Sequence, residues 1–317
     1  MSKAVLFATG LGKDLKRAEN LQCLYDAYPG EKLFVQLNSL AYRTALDSGK
    51  FGLLIIDIFP TEHKLPTIMI WHAIQGGKYI GLDEKHTYYS EYYANFIDRL
   101  IVAGGGGIEM FHRCTKVPRE RILDLGMPRS DRYKRKHKGS GHTGYADKRM
   151  YLYAPTFRNC TETPMPPVDW GWLDSKLTDD EVLVVKAHPY GNVPDAYEMR
   201  HIRIADKMKP SVDFLYDCDV LITDYSSIMF DAYLLKKPVV LFEKLPGYTK
   251  TRGMYLDYPK GYCSRYATNE QELLEQIRSA KTLRTAEKRC LAYVADACDG
   301  HSCERIIELI EEMLNDA

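Results

Sequence analysis

Residues 220–231, VLITDYSSIMFD, carry an apolar run straight into a cluster of hydroxyls and a carboxylate. The run reads as a buried strand leading into a helix, with Thr223, Asp224, Ser226 and Ser227 at the switch. A helix start offers unpaired backbone N–H groups and a partial positive charge. Hydroxyls around such a start suit a phosphate or diphosphate. The competing reading is a capped helix, because Asp, Ser and Thr cap helices for structural reasons alone. Two consecutive serines exceed what a cap needs. Asp231, further along the helix, would touch a ribose or stabilise the helix.

Five further segments hold residues suited to the same chemistry. In 71–81, WHAIQGGKYIG, His72 follows a strand, and Gly76 and Gly77 let backbone approach a ligand, with Lys78 beside them. Histidine is the side chain best matched to taking a proton near neutral pH. In 186–190, KAHPY, His188 sits at another strand end, held extended by the proline after it. It would donate to a phosphate, stabilise a leaving group or cap a turn. Arg158, in 153–158, YAPTFR, presents a planar fork that fits phosphate oxygens or a structural carboxylate. Arg129, in 126–131, GMPRSD, would contact ligand or serve a hinge. Arg252, in 251–258, TRGMYLDY, is a phosphate clamp or a surface arginine. The tract 104–107, GGGG, fits no dinucleotide fingerprint, and no Walker A sequence is present. No carboxylate cluster has metal spacing, so the expected reaction needs neither metal nor other cofactor.

These segments fall at the ends of alternating strands and helices. Strands are expected over 4–9, 33–37, 53–58, 67–71, 100–103 and 121–125, with helices over 14–28 and 108–116. A second set of strands is expected over 150–154, 182–186, 202–205, 220–223 and 238–242. Helices over 270–279, 285–297 and 302–314 follow. Short apolar runs separated by helices indicate parallel sheets covered on both faces. The expected α/β fold is GT-B-like: two Rossmann-like, doubly wound domains facing a cleft, with ligands beyond the carboxyl ends of the strands. The divisions expected are 1–135 on the acceptor side, a basic linker at 136–149, a donor domain at 150–300 and a C-terminal helix at 301–317.

Composition narrows the class. The chain has 317 residues, 45% hydrophobic and 27% charged, enough for two cores. Lys plus Arg and Asp plus Glu both number 43, which argues against nucleic-acid binding through bulk charge. The local exception is 131–142, DRYKRKHKGSGH, which reads as a solvated linker or as a peripheral contact with anionic lipid. None of the eight cysteines forms a CxxC pair, and reduced thiols in a cytoplasmic protein are expected, placed in the cytoplasm or at the inner face of the membrane.

Taken in order, the segments resemble the CDP-glycerol glycerophosphotransferase family, the teichoic-acid primase and polymerase group. The similarity covers WHAIQGGK at 71–78, GMPRSD, YAPTFR, KAHP, LITDYSS with Phe230 and Asp231, RG with YLDY at 252–258, and GHSCERI at 300–306. It implies a GT-B fold and transfer of glycerol phosphate, or a similar phosphopolyol, from a CDP-activated donor to an acceptor hydroxyl, with release of CMP. The acceptor would be a saccharide or polyol phosphate, lipid-linked or free, in cell-wall or capsule synthesis. It implies His72 as general base and His188 at the phosphates. It also implies the Thr223–Ser227 segment and Arg252 on the diphosphate. One departure stands out: the family's glycine after the first histidine is Ala73 here. A glycosyltransferase using a nucleotide sugar, or a non-catalytic nucleotide-binding subunit, are the alternatives.

Overall fold

The computed structural model describes residues 3–11, 18–59, 62–77, 92, 94–134, 143–145, 147–156, 167–188, 199–206, 209–244 and 253–316. The chain forms two compact units, one of residues 1–135 with 292–317 and one of residues 136–291.

The first unit is built on strands β1 (Ala4–Thr9), β2 (Lys32–Gln36), β3 (Phe51–Ile56), β4 (Thr67–Ile70), β5 (Arg99–Ile101) and β6 (Ile122–Leu123). They form one sheet in the order β2-β1-β3-β4-β5-β6, every pair parallel. All six residues of β1 are buried, as a strand covered on both faces requires. Edge strand β2 is mostly half-buried. Helices α1 (Glu19–Ala27), α2 (Leu40–Asp47) and α3 (Gly105–Thr115) belong to this unit. The expected strands and helices are present, with ends moved by a few residues; helix 14–28 is described from Glu19 onward. Helix α2 had no counterpart in the sequence reading. It starts at Ser39, whose Oγ accepts from the Tyr42 N–H at 3.1 Å.

The second unit holds β7 (Arg149–Tyr153), β8 (Glu181–Val185), β9 (Ile202–Ile204), β10 (Val220–Thr223), β11 (Val239–Phe242) and β12 (Tyr266–Ala267). Their order is β12-β11-β10-β7-β8-β9, again all parallel. Read from β9, this is the dinucleotide-fold order, and it reverses between β7 and β10. The short helix α4 (Asp131–Lys134) belongs to the first unit, and the second unit holds α5 (Trp170–Lys176), α6 (Ser211–Asp217), α7 (Ile228–Leu234) and α8 (Glu270–Ser279). Helix α9 (Thr285–Val294) leads the chain back to the first unit, which α10 (Ser302–Asn315) completes.

That return differs from the expected division, in which a donor domain ran to residue 300. Its cause is a set of contacts between motifs far apart in sequence. Asp131 accepts from the Ser302 and Cys303 N–H groups at 3.0 and 2.7 Å, capping α10. Arg305 donates to the Leu125 carbonyl at 3.1 and 3.0 Å and to Ala297 at 2.6 Å. Gly126 has φ +85°, and a Cβ there would stand 2.3 Å from Ser302 Oγ. The glycine tract 104–107 has the same origin. A Cβ on Gly106 would meet the Tyr293 carbonyl at 2.4 Å, and the Gly105 N–H donates to Asp296 at 3.0 Å. These glycines make room for the returning chain. The expected linker also has structure at its far end, where the Thr143 N–H and hydroxyl donate to Asp217 at 3.1 and 3.0 Å.

Glu181 ties β7, β8 and α8 together. Its carboxylate accepts from Tyr151 at 2.7 Å, from Arg278 at 3.0 and 2.7 Å and from the Thr178 N–H at 3.1 Å. Burial alone would raise its pKa, but these bonds outweigh it and lower the carboxyl from 4.5 to about 2. Stability from this group is therefore complete above about pH 4.5 and is lost as pH falls toward 2. Thermal melts of Glu181→Gln should show a lower Tm than wild type at pH 6 and a gap that narrows by pH 2.5. A gap independent of pH would contradict the assignment.

Candidate active site

His72 lies just beyond the carboxyl end of β4, next to central β3. Its ring centroid is 4.4 Å from that of Trp71, which packs against Phe111 at 5.9 Å and Phe59 at 5.7 Å. The aromatic contacts anchor the segment in the first core, against which Trp71 packs.

Two side chains hold the backbone around the histidine. Asn20, buried on α1, donates from Nδ2 to the Trp71 carbonyl at 2.9 Å. Its Oδ1 accepts from the Arg129 N–H at 3.2 Å. Arg129 then donates from Nη1 to the His72 carbonyl at 2.7 Å, with Glu19 at 3.9 Å. Successive carbonyls at the strand end are thus fixed by an amide and a guanidinium. Arg129 is only 8% exposed, and its fork reaches the His72 carbonyl. Asn20 was not identified from sequence. The available signal was a polar residue on the face of α1 that buries Leu21 and Leu24.

At the reversal point of this sheet, the carboxylate of Asp57 closes the gap between β1 and β3. It accepts from Thr9 Oγ1 at 2.6 Å and the Gly10 N–H at 3.0 Å. Burial, partly offset by those bonds, raises its pKa. Gly76 and Gly77 are buried, while Lys78 lies outside the described residues.

In the second unit the hydroxyl-rich segment follows β10, beside β7. Thr223 and Asp224 have structural work here. Thr223 Oγ1 donates to the Ala154 carbonyl at 2.6 Å. Asp224 Oδ1 accepts from the Thr156 N–H at 2.7 Å and from the Tyr225 N–H at 2.6 Å. Both residues are buried, and together they sew the loop after β7 to the loop after β10. Ser226 and Ser227 are half-buried, and Ser227 makes no side-chain cap of α7. Their hydroxyls are therefore not consumed by the capping that the competing sequence reading required. Asp231 is buried on α7. His188 is exposed beyond β8, the strand on the other side of β7. Arg158 and Arg252 lie outside the described residues.

Three tyrosines, Tyr225, Tyr258 and Tyr266, gather around the next strand end. Glu243, after β11, accepts from the hydroxyls of Tyr225 and, at 2.6 Å, Tyr266. Tyr258 packs 4.9 Å from Tyr225, its hydroxyl buried and unpaired. Among the described residues no three His, Cys, Asp or Glu side chains gather as a metal-binding set. Nor is any helix among them long and apolar enough to cross a membrane. The seven cysteines described are free and buried, and burial lifts Cys23, Cys218, Cys263 and Cys290 to about 12.

Residues 16–312 match the family model of CDP-glycerol:poly(glycerophosphate) glycerophosphotransferase. The chain belongs to this glycerophosphotransferase family. Among relatives, it is 27% identical to the teichoic acid poly(ribitol-phosphate) polymerase of Bacillus spizizenii, over 93% of this chain and 52% of that protein. It is 25% identical to the teichoic acid glycerol-phosphate primase of Bacillus subtilis, over 83% of this chain and 72% of that protein. The chain thus spans about half the length of the polymerase and most of the primase. The wall teichoic acid polymerase TagF shares the fold, with TM-score 0.81 and 20% identity over 100% of this chain and 90% of that chain. A TagF variant soaked with CDPG has TM-score 0.79. The chain is thus GT-B-like in fold, with two parallel-sheet α/β units. In a family of that chemistry, the two strand-end clusters take on distinct meanings: a buttressed histidine in one unit and a hydroxyl-rich loop pair in the other.

Proposed function

We propose that this protein transfers a phosphopolyol, glycerol phosphate or ribitol phosphate, from a CDP-activated donor to an acceptor hydroxyl and releases CMP. Family membership carries this reading, and the hydroxyl-rich loop pair at the β7–β10 reversal supports it. The diphosphate is held by the second unit through Ser226 and Ser227, with His188, Arg158 and Arg252 supplying positive charge and Asp231 on the ribose side. Thr223 and Asp224 act behind them by fixing the two loops. His72 takes the proton from the acceptor hydroxyl as that oxygen attacks the β-phosphorus; Gly76, Gly77 and Lys78 contribute on the acceptor or phosphate side. Arg129 acts through the His72 carbonyl. Positioning and fixed dipoles supply most of the rate in transfers of this kind.

The acceptor is a saccharide or polyol phosphate carried on a lipid, and the basic residues at 132–138 meet the anionic surface that bears it. Co-sedimentation with vesicles of anionic lipid, unchanged when those residues are made neutral, would refute the surface contact. The transfer itself is tested with a donor panel of CDP-glycerol, CDP-ribitol and common nucleotide sugars. CMP from a CDP-polyol is expected. A nucleoside diphosphate from a sugar donor would instead establish glycosyl transfer.

A further inference from the structure

The second sheet reverses its strand order between β7 and β10. Chains leaving those two strands diverge to opposite faces, and the crevice at their carboxyl ends is where open α/β sheets hold ligands. Thr156 lies in that crevice. Its N–H is fixed on Asp224 Oδ1 at 2.7 Å, the oxygen that also accepts from the Tyr225 N–H at 2.6 Å. The Thr223 bond to Ala154 at 2.6 Å secures the same loop two residues earlier. The backbone of Thr156 is thereby fixed against the start of the Tyr225-to-Ser227 turn.

Thr156 is 3% exposed, and its Oγ1 is buried with no hydrogen-bond partner. Such a hydroxyl is costly to fold around, because it gave up water and gained nothing in return. Valine has the same shape and would avoid that cost. Its backbone is tied to the carboxylate, whose charge two N–H groups already meet. The hydroxyl, by contrast, belongs to the loop that Asp224 joins to the turn carrying the half-buried Ser226 and Ser227. A donor O–H left unmatched at a ligand-binding crevice is matched by the ligand.

We propose that Thr156 is a donor-binding residue whose hydroxyl donates to a phosphate oxygen of the CDP-activated donor. This rests on the second unit being the donor unit. The experiment compares wild type, Thr156→Val and Thr156→Ser by calorimetric titration with CDP, by competition with cytidine, and by thermal melting without ligand. Thr156→Val should keep or raise the ligand-free Tm, since it removes an unpaired buried hydroxyl. It should weaken CDP about tenfold or more, the loss expected for a hydrogen bond to a charged group. Competition by cytidine should not change, and Thr156→Ser should retain most CDP affinity. CDP binding to Thr156→Val as tight as to wild type would overturn the assignment, as would equal losses for cytidine and CDP. Equal weakening in the serine variant would overturn it too. Wild type that fails to bind CDP at all would instead sink the donor-unit reading.

Discussion

Replacing His72 with alanine is expected to lower turnover by about 100-fold to 10,000-fold, the range that general-base help supplies. The protein should stay folded. His72 lies outside the strand, and the bonds that hold its segment run to its carbonyl and to that of Trp71, which alanine keeps. Donor affinity should change little, because the donor contacts proposed here lie on other residues. The loss should therefore fall on kcat at saturating donor. A small part of the same effect is expected from Asn20→Ala, which frees the Trp71 carbonyl and the Arg129 N–H while leaving the histidine in place. Near-normal turnover by folded His72→Ala would end its assignment as the base.

Asp224→Ala should be the most damaging change to stability in the second unit. One carboxylate oxygen receives two buried backbone N–H groups, from Thr156 and Tyr225. Bonds to charged groups are worth about 1.5–3 kcal/mol each, so losing both should cost about 3 kcal/mol or more. At roughly 2–4 °C per kcal/mol, Tm should fall by about 6–12 °C. Asp224→Asn keeps an oxygen that can accept both bonds and should lose far less. A melt of Asp224→Ala within about 1 °C of wild type would show that the loop pair is held by other means. Because the same bonds place Thr156 and the serines, donor binding should weaken alongside stability.

The strands were legible because most are buried on both faces and read as unbroken apolar runs, as in LFA of β1 or VLIT of β10. Their ends were legible to within a few residues for the same reason. Helices α2, α5 and α6 escaped because seven or eight residues hold too little periodicity to stand out. The return of the C-terminal segment to the first unit was not legible at all. It depends on Asp131 capping α10 and Arg305 reaching Leu125, contacts across more than 170 residues that leave no local pattern. The glycine tract at 104–107 lacks the spacing of a nucleotide motif, and local sequence gives no other reason for it. Its cause, the approach of Tyr293 and Asp296, lies at the other end of the chain.

The candidate site divides along a similar line. His72 and the TDYSS segment could be picked out because residue type and strand-end position coincide. Asn20 could not be given a role, because an amide on a buried helix face says only that it has partners. Thr223 and Asp224 looked like ligand contacts in sequence, but the structure turns them inward to fix the loop after β7. Thr156, inside a motif singled out for its arginine, becomes informative only when its hydroxyl is seen to lack a partner.

In the proposed transfer the bond broken joins the two phosphorus atoms of the donor through oxygen, so that phosphate travels with the polyol. It is tested most directly with CDP-glycerol and CDP-ribitol carrying radiolabel on the β-phosphorus, incubated with a polyol-phosphate acceptor. Unlabelled CMP and label carried into the acceptor product are expected. Label remaining on a released CDP would contradict it.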